Sequence, residues 1–204
     1  MTFATPKLVI LDRDGVINAD SDDYIRTPEE FLPFPGSLAA VVRLKQAGLL
    51  VAVATNQSGI ARGYFTEATL AAMHEKLARL ITTTAASAGD TAVPNRIDFI
   101  EHCPHGPDDG CVCRKPKPGM LEKILSSTGV AATDAVFIGD SASDVGAARA
   151  AGVAPILVRS GKGERTLARA KAGDAELAAL LAGVAVYPDL AAAVAQLLAI
   201  PVDL

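Results

Sequence analysis

Three cysteines are all the thiols this 204-residue chain has, and tryptophan is missing altogether. So small and odd a set does not suit the disulfide framework of a secreted domain. Long apolar runs are missing too: stretches such as LLVAVAT (49–55) fall far short of the ~20 residues that cross a bilayer. Positive charge is not in excess. A net charge of −4 argues against a nucleic-acid or membrane surface, since either partner selects for clustered cations. The opening residues MTFATPKLVILDRDG show neither the basic segment and long apolar stretch nor the cleavage site of a signal peptide. Repeats, low-complexity tracts and linkers are absent as well. These absences leave one expectation: a soluble, cytoplasmic, monomeric protein, residues 1–204, folded as a single domain with no nucleic-acid or membrane partner.

What the chain does have is a regular alternation. Short β-branched runs at 7–12, 49–55, 97–102, 135–140 and 154–158, with a weaker one at 184–187, read as strands covered on both faces. Between them lie segments of helical period. In 65–81, Leu70, Met73, Leu77 and Leu80 share a stripe and Thr66 is placed to cap. SLAAVVRLKQAG and DVGAARAAG each end on a helix-stopping glycine, and DLAAAVAQLLAIPVDL reads as a closing helix. Strand-then-helix order predicts an α/β fold with a doubly wound parallel sheet. Ligands of such sheets bind beyond the carboxyl ends of the strands. Asp12, Thr55, His102 and Asp140 each close a predicted strand.

In LVILDRDGVIN, Asp12 and Asp14 stand two apart on extended chain, which projects both carboxylates to one side. Two carboxylates that close repel, invite a bridging cation and separate in role; an Asp-Gly turn with a capping Asp is the plainer alternative. Thr55, Asn56 and Ser58 before Gly59 bring donors to a strand end, or merely form a polar turn. Lys115, in CRKPKPGM, sits on stiffened backbone ahead of a helix, a setting that suits a phosphate. In VFIGDSASD, Asp140 and Asp12 could share one Mg²⁺, whereas Asp144 reads as a first-turn helix residue.

All three cysteines fall in EHCPHGPDDGCVCRKPKPGM (101–120). Cys103 and His105 face one way on an extended segment; Cys111 and Cys113 do the same, and GPDDG between them is turn chemistry. Three thiolates and one imidazole make a closed, structural Zn²⁺ site. A disulfide would strand one free thiol. His102 points away from that shell. Too rich in Gly and Pro to bury much apolar surface, the loop needs such a clip, which would also fix Arg114 and Lys115.

Taken in order, LDRDGVIN, TNQSGIARGYFT, CPHGPDDGCVCRKPKPGM and IGDSASD resemble the haloacid-dehalogenase-type phosphatases across the whole chain. Within that superfamily they look like the subgroup holding heptose-bisphosphate and histidinol-phosphate phosphatases. The resemblance implies an HAD-like fold with a minimal cap, a small phosphorylated sugar as substrate, lipopolysaccharide core-sugar synthesis as setting, and Mg²⁺ and Zn²⁺ as cofactors. It makes Asp12 the nucleophile and Asp14 the general acid and base. Asp12, the Asp14 carbonyl and Asp140 would hold Mg²⁺; Cys103, His105, Cys111 and Cys113 would hold Zn²⁺. Thr55 and Lys115 would bind the phosphoryl oxygens, with Asn56, Gln57, Ser58, Arg114 and Asp20 contacting the rest of the substrate. The chain departs from some members at Ser141, where they carry a base. Histidinol phosphate as substrate, and a phospho-accepting signalling module, remain the alternatives.

Overall fold

Residues 6–89 and 97–199 are described by a computed structural model of the chain. The apolar runs become β1 (Leu8–Leu11), β2 (Leu50–Asn56), β3 (Phe99–Cys103), β4 (Ala135–Gly139), β5 (Ala154–Val158) and β6 (Ala185–Tyr187). They form one parallel sheet in the order β3-β2-β1-β4-β5-β6. The order reverses direction at the β1/β4 pair, and that is where a doubly wound sheet opens a crevice at its carboxyl edge. Asp12 follows β1 and Asp140 follows β4, so the crevice has an acid on each lip.

Period-two alternation divides the core into two layers. Val9, Leu11, Val51, Val53, Val136 and Ile138 face one side, with buried residues of α1 (Ser37–Gln46), α2 (Glu67–Ser87) and α7 (Leu190–Leu198). Leu8, Ile10, Ala52, Ala54, Ala135 and Phe137 face the other, against α3 (Gly119–Thr128) and α4 (Ala142–Ala150). Coverage on both faces explains why these strands read as unbroken apolar runs.

Thr66 caps α2, its Oγ1 accepting from the Thr69 N–H at 3.1 Å. The buried stripe of α2 runs Leu70, Met73, Leu77, Ile81 and Ala85. Leu80, expected on that stripe, is only partly buried. Ile81 is eleven residues from Leu70, about three whole turns, and so returns to the same face, while Leu80 falls short of it. Two short helices, α5 (Gly163–Lys171) and α6 (Ala175–Leu181), are not announced by the apolar pattern. The first buries only Gly163 and Thr166, and the second only Leu177. The closing helix ends at Leu198; the expected tail beyond 199 lies outside the described residues.

Candidate active site

Asp12 leaves β1 with its N–H donated to Ile138 O at 2.9 Å, which ties the first acid to the neighbouring strand. Lys115 reaches it from the loop before α3. Its Nζ lies 2.9 Å from Asp12 Oδ1, 2.7 Å from Asp144 Oδ1 and 2.9 Å from Ala54 O. Three oxygens thus surround the ammonium, and the side chain is 1% exposed. Asp144 is the third residue of α4 and closes a capping box with Ser141. It is therefore a first-turn residue, as its position in the sequence suggests, and the buried counter-ion of Lys115 as well.

Asp140 is equally enclosed. Its Oδ2 accepts from the Lys162 N–H at 2.7 Å. Gly15 and Gly161, both at positive φ, press against that carboxylate so closely that a Cβ on either would collide with Oδ2. Burial pushes the Asp140 pKa up to about 8, helped by the charges of Asp144 and Asp12. Burial likewise lifts Asp12 to about 7 against the pull of Lys115. Ligand oxygens of Asp12, Asp140 and Asp144 all lie within 4.8 Å of one another. Lys115 contacts both Asp12 and Asp144 and so brings one positive charge to three carboxylates; hard oxygen donors short of positive charge suit Mg²⁺.

Asp14 has a different environment. Its Oδ1 accepts from Arg13 Nε at 3.0 Å and Asn18 Nδ2 at 2.8 Å. Its Oδ2 accepts from Arg13 Nη2 and Gln57 Nε2, each at 2.9 Å. Burial alone would raise its pKa; the Arg13 charge and these hydrogen bonds outweigh that and hold it below the ordinary value. Gln57 Nε2 also donates to Thr55 Oγ1 at 2.8 Å. Asn56 brackets Lys115, accepting its N–H at 3.1 Å and donating to its carbonyl at 3.2 Å.

Of these residues, Asp12, Asp14, Thr55, Asn56, Gln57, Lys115 and Asp140 line a cavity of about 300 Å³, with Asp20, Ser58 and Arg114 also in its wall. Asp20 is paired with Lys162 Nζ at 2.6 Å. Arg114 Nη1 donates to His105 O at 3.2 Å.

His105 belongs to the second cluster. Cys103 Sγ lies 3.1 Å from Cys113 Sγ and 3.6 Å from Cys111 Sγ, and His105 Nδ1 is 3.3 Å from Cys113 Sγ and 3.6 Å from Cys103 Sγ. All three thiols are free, at separations well beyond the ~2.05 Å of a disulfide. Metal–sulfur bonds of about 2.3 Å give tetrahedral S–S edges of roughly 3.8 Å, so this is a slightly contracted tetrahedron of zinc-type ligands. Burial pushes the Cys103 thiol up to about 12, a penalty a bound cation would lift. His102 turns elsewhere, its Nε2 lying 2.8 Å from Glu67 Oε2.

The haloacid dehalogenase-like hydrolase profile matches residues 7–152, and a HAD-hydrolase-like profile matches residues 112–193. The D-glycero-beta-D-manno-heptose-1,7-bisphosphate 7-phosphatase of Pseudomonas aeruginosa is 51% identical over 94% of this chain and 97% of its own. Its namesake from Bordetella bronchiseptica is 47% identical over 94% and 98%. The crystal structure of D,D-heptose 1.7-bisphosphate phosphatase from B. bronchiseptica, complexed with magnesium and phosphate, matches at a TM-score of 0.83, covering 94% of this chain and 98% of that one.

The chain belongs to the haloacid dehalogenase-like hydrolase family. In this hydrolase, Asp12, Asp14, Thr55, Lys115 and Asp140 meet in one cavity, although they come from four separate strand ends or loops. Sequence reasoning missed three residues of the same wall or its support. Arg13 drew no reading from the sequence; Met73 of α2 and Phe31 pack on its buried side chain. Lys162 lies on a loop with no motif. Tyr24 is the described non-glycine residue at positive φ (66°), lines the cavity and packs edge-on against Tyr64 at 5.1 Å. Among the described residues, no helix is long and apolar enough to cross a membrane.

Proposed function

We propose that this hydrolase is a Mg²⁺-dependent phosphatase removing the 7-phosphate of D-glycero-β-D-manno-heptose 1,7-bisphosphate, a step toward ADP-heptose for the lipopolysaccharide core. The observation that carries the reading is near-full-length identity of about half with the Pseudomonas aeruginosa enzyme of that name. In the same reading the protein is a cytoplasmic monomer, and residues 1–204 are one catalytic domain.

Asp12 attacks phosphorus, the bond from phosphorus to the C7 oxygen breaks, and Asp14 gives that oxygen a proton. Water then attacks the aspartyl-phosphate, its proton passes to Asp14, and the bond from phosphorus to Asp12 breaks to free inorganic phosphate. Asp14 is held as a carboxylate by the Arg13 charge and its hydrogen bonds. An arriving phosphate dianion adds negative charge beside it and raises its proton affinity for the first step. Lys115 and Thr55 bind the equatorial oxygens, where phosphoryl transfer concentrates its demand for neutralisation. Mg²⁺, held by the carboxylates of Asp12 and Asp140 and the carbonyl of Asp14, would supply the rest of that neutralisation. Zn²⁺ on Cys103, His105, Cys111 and Cys113 would be structural.

Arg114, braced on the carbonyl of His105, is the selector for the second phosphate, since its planar fork suits that group. Asn56, Gln57, Ser58 and Asp20 contact the sugar side. Arg114→Ala is expected to cut kcat/KM for the bisphosphate far more than for a small aryl phosphate; equal losses would remove that role. The reading itself is tested by phosphate release with Mg²⁺ from heptose 1,7-bisphosphate and from histidinol phosphate, measured in parallel. A preference of tenfold or more for the bisphosphate, ~1.4 kcal/mol in transition-state binding, is expected. Preference for histidinol phosphate would replace the substrate and keep the machinery.

A further inference from the structure

Between the two acids of the DRD stretch stands the one residue of that stretch with no assigned task. The Arg13 side chain is fully buried (0% exposed). Removing a guanidinium from water costs several kcal/mol unless it is paired and hydrogen-bonded, so the position is not one where any packing residue would serve. Its surroundings hold the fork still. Nη1 lies 3.6 Å from Met73 Sδ, and the guanidinium carbon lies 5.7 Å from the centroid of the Phe31 ring. The neighbouring His74 stays neutral at pH 7, because burial and the Arg13 charge lower its pKa to about 4.

The fork meets Asp14 through two parallel bonds, Nε to Oδ1 at 3.0 Å and Nη2 to Oδ2 at 2.9 Å. A two-point contact fixes the plane of a carboxylate, which a point charge cannot do. Asn18 and Gln57 add one further hydrogen bond to each oxygen. The nucleophile is treated differently: what Asp12 receives from Arg13 is the backbone N–H alone, at 2.7 Å, which any residue but proline supplies.

We propose that Arg13 is a positioning residue for proton transfer, its buried guanidinium fork fixing the plane and place of the Asp14 carboxylate beside the reacting phosphoryl group. The inference rests on the phosphatase reading and on Asp14 as its acid and base. Displacing a catalytic group by about 1 Å costs on the order of 10²-fold, and that loss falls only on steps in which Asp14 moves a proton.

The test is rapid-quench kinetics of Arg13→Lys with p-nitrophenyl phosphate, whose leaving group departs without a proton, and with the heptose bisphosphate, whose alkoxide needs one. Phosphoenzyme formation from the aryl phosphate is expected to stay within a few-fold of wild type. Hydrolysis of the phosphoenzyme, and turnover of the bisphosphate, are expected to fall ~10²-fold, so that the aryl substrate leaves phosphoenzyme accumulated. Equal slowing of formation and hydrolysis, or no slowing of either, would overturn the proposal. Should Arg13→Lys not fold, Arg13→Met combined with Asp14→Asn removes the buried pair together. Rates equal to those of Asp14→Asn alone support action through Asp14, and a further fall refutes it. Wild-type protein releasing no phosphate would instead sink the phosphatase reading, so the two failures are distinguishable.

Discussion

Lys115 separates Asp12 from Asp144 and is almost wholly out of water. Removing one partner of a buried ion pair costs roughly 3–5 kcal/mol, because the charge left behind is uncompensated. Lys115→Met is therefore expected to lose both catalysis and about that much stability, read by urea unfolding in Mg²⁺-free buffer. A variant of unchanged stability would mean that Lys115 is not what holds the two acids together. Asp12→Asn removes the nucleophilic oxygen while keeping the side chain's size, and is expected to fold normally and release no phosphate. Wild-type turnover by that variant would overturn the assignment of Asp12. Both residues were legible in the sequence because strand ends punctuate it: an acid or a lysine after an apolar run or a proline stands out. The tasks of Arg13 and Asp144 were not legible. Each depends on a group brought in by tertiary packing, the α2 face over Arg13 and the loop before α3 against Asp144, and local sequence carries no mark of either.

At the scale of elements, the connection from β3 to α3 is where function depends on an irregular segment. Cys103 ends β3 and is buried, whereas Cys111 and Cys113 come from the loop itself. Gln57 N–H donates to Cys103 O at 2.7 Å, and the Ala61 N–H donates to Pro104 O at 3.2 Å, so the loop is also stitched to the β2–α2 turn. A structural zinc contributes its binding free energy to folding. Cys113→Ser is expected to purify with less than stoichiometric zinc by atomic emission, a lowered thermal midpoint, and reduced turnover on bisphosphate and aryl phosphate alike, since Lys115 follows directly. Full activity in zinc-free protein would show that the hydrogen bonds alone fix the loop. The spacing of these ligands was readable because thiol pairs are rare in such a composition. The strands were readable to within a residue or two for the same kind of reason, while α5 and α6, with almost no apolar stripe, were not.

For the whole molecule, the two strand-end acids couple stability to pH and metal. In the unfolded chain Asp12 and Asp140 titrate near the ordinary carboxylate value of 3.8, and in the fold near 7 and 8. The folded state therefore holds more protons than the unfolded state up to that range, and stability falls as pH rises through it. His74, lowered to about 4, acts in the opposite sense, but only below its ordinary 6.5. Asp14 and Asp144, held below their usual value, matter only in more acidic solution. Between about pH 6.5 and about pH 8.5 the two raised acids dominate. In Mg²⁺-free buffer the thermal midpoint is expected to decline across that interval. Mg²⁺ requires both carboxylates ionised, so its stabilisation should grow with pH, being larger at the alkaline end. Calorimetric scans with and without Mg²⁺ at both ends decide the matter. A midpoint that rises with pH without metal, or a Mg²⁺ effect equal at both ends, would mean that Asp12 and Asp140 are not the acids that bind the cation.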